Sequence, residues 1–408
     1  MPSNRPKAGT TSGSDGHRES KSDNAGSPRP QDHTGPPSDL DPAQADGLID
    51  GPVRGRGAGL NPKSRFDDLR LHVLGEHLDE QAREHPSGVQ VRTQVFDDDT
   101  RAVLNRVDVP DIPFRWTVNP YRGCEHGCVY CYARPGHEYF GLSCGLDFET
   151  KVFAKPRAAA LLRDALAKPW WEAEGIVMSG VTDPYQPIER RLGITRACLE
   201  VLADCRQPVS MITKSKMITR DIDLLGELAS HGAAHAAISI TSLDNTLASK
   251  LEPRASSPRE RLEAVRALSA AGIPVSVMTA PIIPGLNDRE IPAILEAAAQ
   301  AGAKRAGWIM LRLPYQIKDL FLEWLRRHVP DRAAHVESLI RQVRGGDLYD
   351  SDLHTRMRGT GAIADQIAQI HKLYCKRFGL DQDIAPLSNR AFRRPAWSGD
   401  ERQMGLFG

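Results

Sequence analysis

Between residues 116 and 311 short apolar runs alternate with segments whose apolar residues recur at helical spacing, and this alternation limits the possible folds more than any other feature of the chain. The runs are Trp116-Thr117-Val118, Ile176-Val177-Met178, Val209-Ser210-Met211-Ile212-Thr213, Ala236-Ala237-Ile238-Ser239-Ile240, Val275-Ser276-Val277-Met278 and Trp308-Ile309-Met310-Leu311. The helical segments are 157–166, 195–204, 221–231, 259–271 and 288–302. Strands that alternate with helices pair in parallel through right-handed crossovers, which makes the fold class α/β. Six units are too few for an eight-fold barrel, so the expected architecture is an open, partial (β/α)6 barrel of TIM type. Sites in such folds lie at the carboxyl ends of the strands, and the residues directly after each run are the ones to inspect.

The first run leads into Asn119-Pro120-Tyr121-Arg122-Gly123-Cys124-Glu125-His126-Gly127-Cys128-Val129-Tyr130-Cys131-Tyr132, which holds three of the chain's seven cysteines. The spacing is Cys124-x3-Cys128-x2-Cys131, with Gly123 and Gly127 allowing the loop to curl. Thiolates suit zinc and iron–sulfur iron, but a closed zinc site needs a fourth ligand, and a second Cys-x2-Cys pair is missing. The plain alternatives are an incomplete zinc knuckle and ordinary buried thiols.

That spacing resembles the signature of the radical S-adenosylmethionine (SAM) enzymes, with Tyr130 as the aromatic before the last cysteine. The resemblance implies a partial barrel, a [4Fe–4S] cluster on Cys124, Cys128 and Cys131, and SAM on the remaining iron. It also implies a one-electron reductant and reductive cleavage of SAM to a 5'-deoxyadenosyl radical. Relatives bind the SAM amino group with a glycine-rich element after the second strand, where this chain has Ser179-Gly180-Val181-Thr182-Asp183. Asp183-Pro184-Tyr185-Gln186-Pro187 and Thr213-Lys214-Ser215 resemble the branch that includes spore photoproduct lyase, which implies a nucleic-acid lesion or base as substrate. Other expected SAM contacts are Lys214 for the carboxylate, Ser239 and Thr241 on one face of a strand end, and Glu252 and Arg254 for hydroxyls and carboxylate. Arg312 is expected to meet a substrate phosphate or SAM, or to serve as an ion-paired scaffold residue. Cys144 is the nearest candidate for a hydrogen-atom donor beyond the cluster. Modification of RNA, protein or a small metabolite is the alternative within this class, and a non-catalytic, metal-bearing DNA-associated protein is the alternative outside it.

The ends of the chain differ from its middle. Residues 1–60 are rich in Gly, Pro, Ser and Asp and are expected to form a disordered tail that includes the short basic run Arg54-Gly55-Arg56-Gly57. A lead-in segment, 61–113, with a helix near 67–78 and a strand near 89–96, precedes the barrel at 114–315. A helical extension, 316–384, and a flexible tail, 385–408, follow. That tail ends in Gln403-Met404-Gly405-Leu406-Phe407-Gly408, which resembles peptides that dock on the DNA polymerase sliding clamp. Lys+Arg 53 against Asp+Glu 52 leaves a net charge of +1, so no global field draws in nucleic acid and any contact with DNA needs a local patch. No apolar stretch is long enough to cross a membrane, and clustered, odd-numbered cysteines suit a reducing compartment, so a cytoplasmic location is expected.

Overall fold

Six strands run parallel, each hydrogen-bonded to the next in chain order: β1 (Trp116–Val118), β2 (Ile176–Met178), β3 (Val209–Thr213), β4 (Ala234–Ser239), β5 (Val275–Ile282) and β6 (Arg305–Met310). A short strand, Leu104–Arg106, adds antiparallel to the outer side of β1. The sheet is therefore open, with edges at β6 and Leu104–Arg106, and is the expected partial barrel. The computed structural model describes residues 55–62, 65 and 91–396, all within the compact unit Pro42–Gly408.

Near-continuous apolar strands are what a parallel sheet covered on both faces requires. Register sets Val118, Met178, Met211, Ala236 and Val275 side by side, each at most 1% exposed. Burying an apolar side chain of methionine size contributes about 1.5–3 kcal/mol, so this layer is a main source of barrel stability. Helices α1 (Ala158–Ala167), α2 (Ile194–Cys205), α3 (Ile222–Ser230), α4 (Pro258–Ala270) and α5 (Ile291–Gln300) fill the crossovers. Helix α4 starts where Ser257 and Glu260 form a reciprocal capping box, with Pro258 in the first turn. Cys198 and Cys205 on α2 face the core at 0% and 1% exposure.

After β6 come α6 (Ile317–His328), α7 (Pro330–Gln342) and α8 (Gly361–Phe378). Helix α8 packs on α5 and α7 on α6, so the extension leans on the barrel's open side. A second, three-stranded sheet sets Lys151–Ala154 between Gln94–Asp97, in parallel, and Tyr121–Arg122, antiparallel. Tyr121–Arg122 leads directly into the cysteine loop.

The end of the expected tail is not free. Arg56, Gly57 and Ala58 are buried against the cysteine loop, and a Cβ on Gly57 would stand 1.7 Å from the Gly127 carbonyl oxygen. Arg56 donates to the backbone oxygens of Glu149 (2.7 Å) and Val91 (2.9 Å) and to Thr93 Oγ1 (3.0 Å), so its guanidinium faces the protein and not a phosphate. A polar, glycine-rich composition concealed this because three acceptors far along the chain satisfy Arg56. The helix expected near 67–78 lies outside the described residues.

Candidate active site

The loop from Asn119 to Tyr132 projects from the carboxyl end of β1. Gly123 and Gly127 adopt φ of +76° and +68°, values that side chains other than glycine seldom take, and these two turns curl the loop that carries all three cysteines. Cys124 and Cys128 are 7% and 9% exposed, Cys131 is half-buried, and all three thiols are free. Among the described residues no three His, Cys, Asp or Glu side chains converge closely enough to hold a single ion. Burial pushes the Cys124 thiol well above its ordinary range and that of Cys128 to about 12, with Lys214 pulling Cys128 the other way. Thiols held protonated in this way release their protons when they ligate metal.

Several buried polar groups fasten the loop, and most of them had no sequence signal. Gln186 accepts from the Glu125 amide (2.9 Å) and donates to the Gly123 carbonyl (3.2 Å). Arg134 donates to the Cys128 carbonyl at 2.9 Å and pairs with Glu149 at 2.5 Å, both side chains being fully buried. Glu149 also accepts from the amides of Gly57 (3.0 Å) and Ala58 (2.8 Å), and so ties the amino-terminal segment over the loop. Asn119 accepts from the Val181 amide at 3.1 Å, joining the ends of β1 and β2.

Asp183 gathers the next strand ends. It accepts from Thr213 Oγ1 (2.6 Å) and the Lys214 amide (2.8 Å), and its carboxylate lies 3.3 Å from His126 Nδ1. Burial alone would raise this carboxyl, but its contacts with His126, Thr213 and the Lys214 amide outweigh burial and hold it at about 2. Asp183 and Gln186 therefore position the cysteine loop through the protein's own groups. Thr182 is buried and donates to the Tyr121 carbonyl at 3.2 Å. Ser179 and Gly180 turn the chain back with φ of +135° and +118°, and the Gly180 carbonyl accepts from the Tyr132 hydroxyl.

A second buried group centres on Glu252, which is 1% exposed. Its carboxylate accepts from the Tyr130 hydroxyl, from Thr241 Oγ1 at 2.6 Å and from Arg261, with which it forms a close ion pair. Burial would raise Glu252, but Arg261, Lys214 and these hydroxyls keep it below the usual carboxylate range. Glu252 is thus fully engaged by the protein, whereas a ligand hydroxyl was its expected partner. Ser239 is buried, and its carbonyl accepts from Arg261 at 3.1 Å. Arg254 pairs with Glu125 of the cysteine loop at 3.2 Å, so its guanidinium too is drawn to the loop. Lys214 is half-buried with Nζ 5.8 Å from the Tyr130 ring centre; against burial, Cys128 and Glu252 raise its pKa.

Cys144 stands apart. It is fully buried in a small cluster with Ala58, Leu146 and Leu320, and burial lifts its thiol to about 12. Its neighbours are aliphatic side chains of the amino-terminal segment and of α6, and its raised pKa keeps the S–H hydrogen in place. Gln403, Met404, Leu406 and Phe407 lie outside the described residues. No helix among the described residues is long and apolar enough to cross a membrane.

The sequence matches the family described as the radical SAM superfamily over residues 118–298, which span the cysteine loop through β2–β5 to most of α5. An uncharacterized protein of Mycobacterium tuberculosis is 36% identical over 245 residues, covering 59% of this chain and 72% of that one. The chain belongs to the radical SAM superfamily. A radical SAM Nalpha-GlyT isomerase of Pseudomonas phage M6 is 25% identical over 234 residues, 56% of this chain and 46% of the isomerase. Among solved structures, spore photoproduct lyase complexed with dinucleoside spore photoproduct aligns with a TM-score of 0.47 at 16% identity, covering 70% of this chain and 79% of that one. The protein is therefore an enzyme of a superfamily whose members typically bind an iron–sulfur cluster and SAM and draw on a reductant. Its residues fit such a group: three free thiols on one curled loop, with backbone and polar groups holding the loop from behind.

Proposed function

We propose that Cys124, Cys128 and Cys131 hold a [4Fe–4S] cluster, that SAM binds beside it, and that the substrate is a nucleic-acid lesion or base. When bound, the cluster would supply one-electron reductive cleavage of the SAM carbon–sulfur bond, with the electron from a cellular reductant, to methionine and a 5'-deoxyadenosyl radical able to take hydrogen from a substrate. The single observation that carries the reading is the presence of three free thiols on one loop at the carboxyl end of β1, the loop that Gln186, Arg134 and Arg254 hold.

The chain's own residues then have separable tasks. Lys214 presents a cation to the SAM carboxylate, and its charge also favours the Cys128 thiolate. The Ser179–Gly180 turn offers carbonyl oxygens to the SAM amino group. Glu252, Thr241 and Tyr130 form a buried hydrogen-bonded group next to Lys214, so charge there is little screened by water. Support for a nucleic-acid substrate comes from the two segments that resemble the photoproduct-lyase branch: they form one hydrogen-bonded unit, Asp183 with Thr213 and Lys214, beside the cysteine loop.

The test is anaerobic reconstitution with iron and sulfide, followed by dithionite and SAM, with 5'-deoxyadenosine measured. Stoichiometric cluster and SAM-dependent 5'-deoxyadenosine are expected. Cluster without SAM cleavage would turn the reading into that of a binding module, and zinc in place of iron would end it. Replacing any one of Cys124, Cys128 or Cys131 by Ala is expected to abolish the cluster; full iron content in such a variant would refute the ligand assignment.

A further inference from the structure

Arg312 directly follows the β6 region, and its side chain lacks the partners a half-buried guanidinium normally finds. Among the described residues its Nε is buried without a hydrogen-bond partner, and its Nη1 reaches only the Met357 sulfur, at 3.6 Å. A thioether is a weak acceptor. The nearby acidic groups are engaged elsewhere: Asp111 takes both ends of the Arg356 fork, and Asp350 accepts from Thr355 and the Asp352 amide. A second arginine adds to the imbalance. Arg344 is 4% exposed, donates to the carbonyls of Met310, Leu311 and Thr355, and has an unpartnered buried Nε of its own. Burial, with Arg312 adding to it against Asp350, lowers Arg344 to about 10. Leaving cationic groups in a partly dehydrated site without a counter-charge costs free energy, and an arriving anion removes that cost.

The Arg312 guanidinium carbon lies 5.3 Å from the ring centre of Tyr132. Tyr132 is the residue after Cys131, yet it is 51% exposed, with its ring fixed by the hydroxyl bond to Gly180. Val181, next along that turn, is 49% exposed. Arg312 covers one side of a ring that is still half-exposed, and an oriented aromatic next to a guanidinium without a counter-charge is the pairing that holds a single-stranded nucleotide, the base on the ring's open side and the phosphate on the fork.

We propose that Arg312 and Tyr132 anchor the substrate strand at the lip of the cysteine loop, Arg312 taking a phosphodiester and Tyr132 stacking on a neighbouring base. This inference rests on the nucleic-acid reading above. The anchor holds the strand rather than performing the chemistry, so its signature is in binding.

The test uses the reconstituted enzyme and a short fluorescein-labelled single-stranded DNA, with affinity read by fluorescence anisotropy at several salt concentrations and SAM affinity read separately by equilibrium dialysis. Arg312→Gln is expected to weaken DNA binding about tenfold, to reduce the slope of log affinity against log salt by about one, and to weaken SAM binding far less. Arg312→Lys, which keeps the charge without the fork, is expected to fall in between, and Tyr132→Leu to weaken binding without changing the salt slope. Arg163→Gln, on the outer face of α1, controls for lost surface charge. Iron content and circular dichroism report whether each variant is folded. If wild type shows no saturable DNA binding, the nucleic-acid reading fails and this inference fails with it. If wild type binds DNA and Arg312→Gln binds equally well, or loses SAM instead, the anchor assignment alone is overturned.

Discussion

Replacing Glu149 by Gln keeps the side chain's shape and removes a charge that nothing nearby can replace. Glu149 Oε1 accepts from Arg134 and from the Ala58 amide, while Oε2 accepts from the Gly57 amide. A glutamine that keeps its oxygen toward Arg134 must turn its NH2 toward the Gly57 N–H, so one acceptor becomes a second donor. Hydrogen bonds to a charged group contribute about 1.5–3 kcal/mol against about 0.5–1.5 for neutral ones, so three weakened or lost bonds sum to roughly 3 kcal/mol or slightly more. Removing one partner of a buried pair costs about 3–5 kcal/mol by an independent route, because Arg134 stays buried and charged. The assay is urea unfolding of anaerobically handled protein followed by circular dichroism. With a slope of roughly 3 kcal/mol/M for a chain of this size, the midpoint should fall by about 1 M. Limited proteolysis should cut faster within 55–62, since two of that segment's anchors are amides bonded to Glu149. Arg134→Met together with Glu149→Gln should recover part of the loss by removing both charges. An unchanged midpoint, with cleavage at the wild-type rate, would refute the claim that this pair fastens the amino-terminal segment to the loop.

Two further perturbations test other parts of the argument. Gly57→Ala puts a Cβ 1.7 Å from Gly127 O and 2.9 Å from Gly127 C, both backbone atoms, so the segment must lift away; a loss of about 1–3 kcal/mol is expected with reduced iron uptake, whereas Gly136→Ala, with nothing within 4 Å, should stay near wild type. Equal unfolding midpoints for the two variants would refute the close approach. His371 is buried beside Trp308 and Cys375, and burial followed by the Arg358 charge lowers it from 6.5 to about 4. Because its folded pKa lies below the unfolded one, its contribution is fully present above about pH 6.5 and is lost as pH falls toward 4, about 3 kcal/mol in all. His371→Leu should therefore flatten the decline of the urea midpoint from pH 7 to 4.5, and an unchanged decline would show that other groups carry it.

The barrel was legible because each strand carries its own signal: a short apolar run bounded by helix-period segments. The bounds of that signal were less exact, both inside the sheet, where β5 runs four residues past the expected Met278 to Ile282, and at its edge. The sixth run reads as starting at Trp308, yet β6 begins at Arg305, because an edge strand keeps pairing through residues it does not bury, here an exposed Arg305 and half-buried Ala306 and Gly307. The cysteine spacing was legible for the same reason, being local. The groups that hold the cysteines were not: Glu149 meets Gly57 across 92 residues, Gln186 meets Glu125 across 61 and Asn119 meets Val181 across 62, separations at which no spacing rule operates. This also explains why several polar residues first read as ligand contacts turn inward. A carboxylate such as Glu252 or Asp183 in an apolar stretch signals an unusual environment, but burial obliges it to find donors, and the fold supplies them from Arg261, Tyr130 and Thr241 or from Thr213 and the Lys214 amide. Polarity in an apolar context therefore does not separate scaffold from site; an unfilled hydrogen-bonding capacity beside the cysteine loop is more informative. By that criterion the three free thiols and the Arg312 guanidinium remain open toward a ligand, and Lys214, whose charge leans on Cys128 and Glu252 without a close ion pair, stands beside them. These groups flank the loop proposed to hold the cluster, while other buried unpartnered atoms, such as Asp288 Oδ1, lie elsewhere in the fold, so an open hydrogen-bonding group points to a ligand only where a second observation stands beside it.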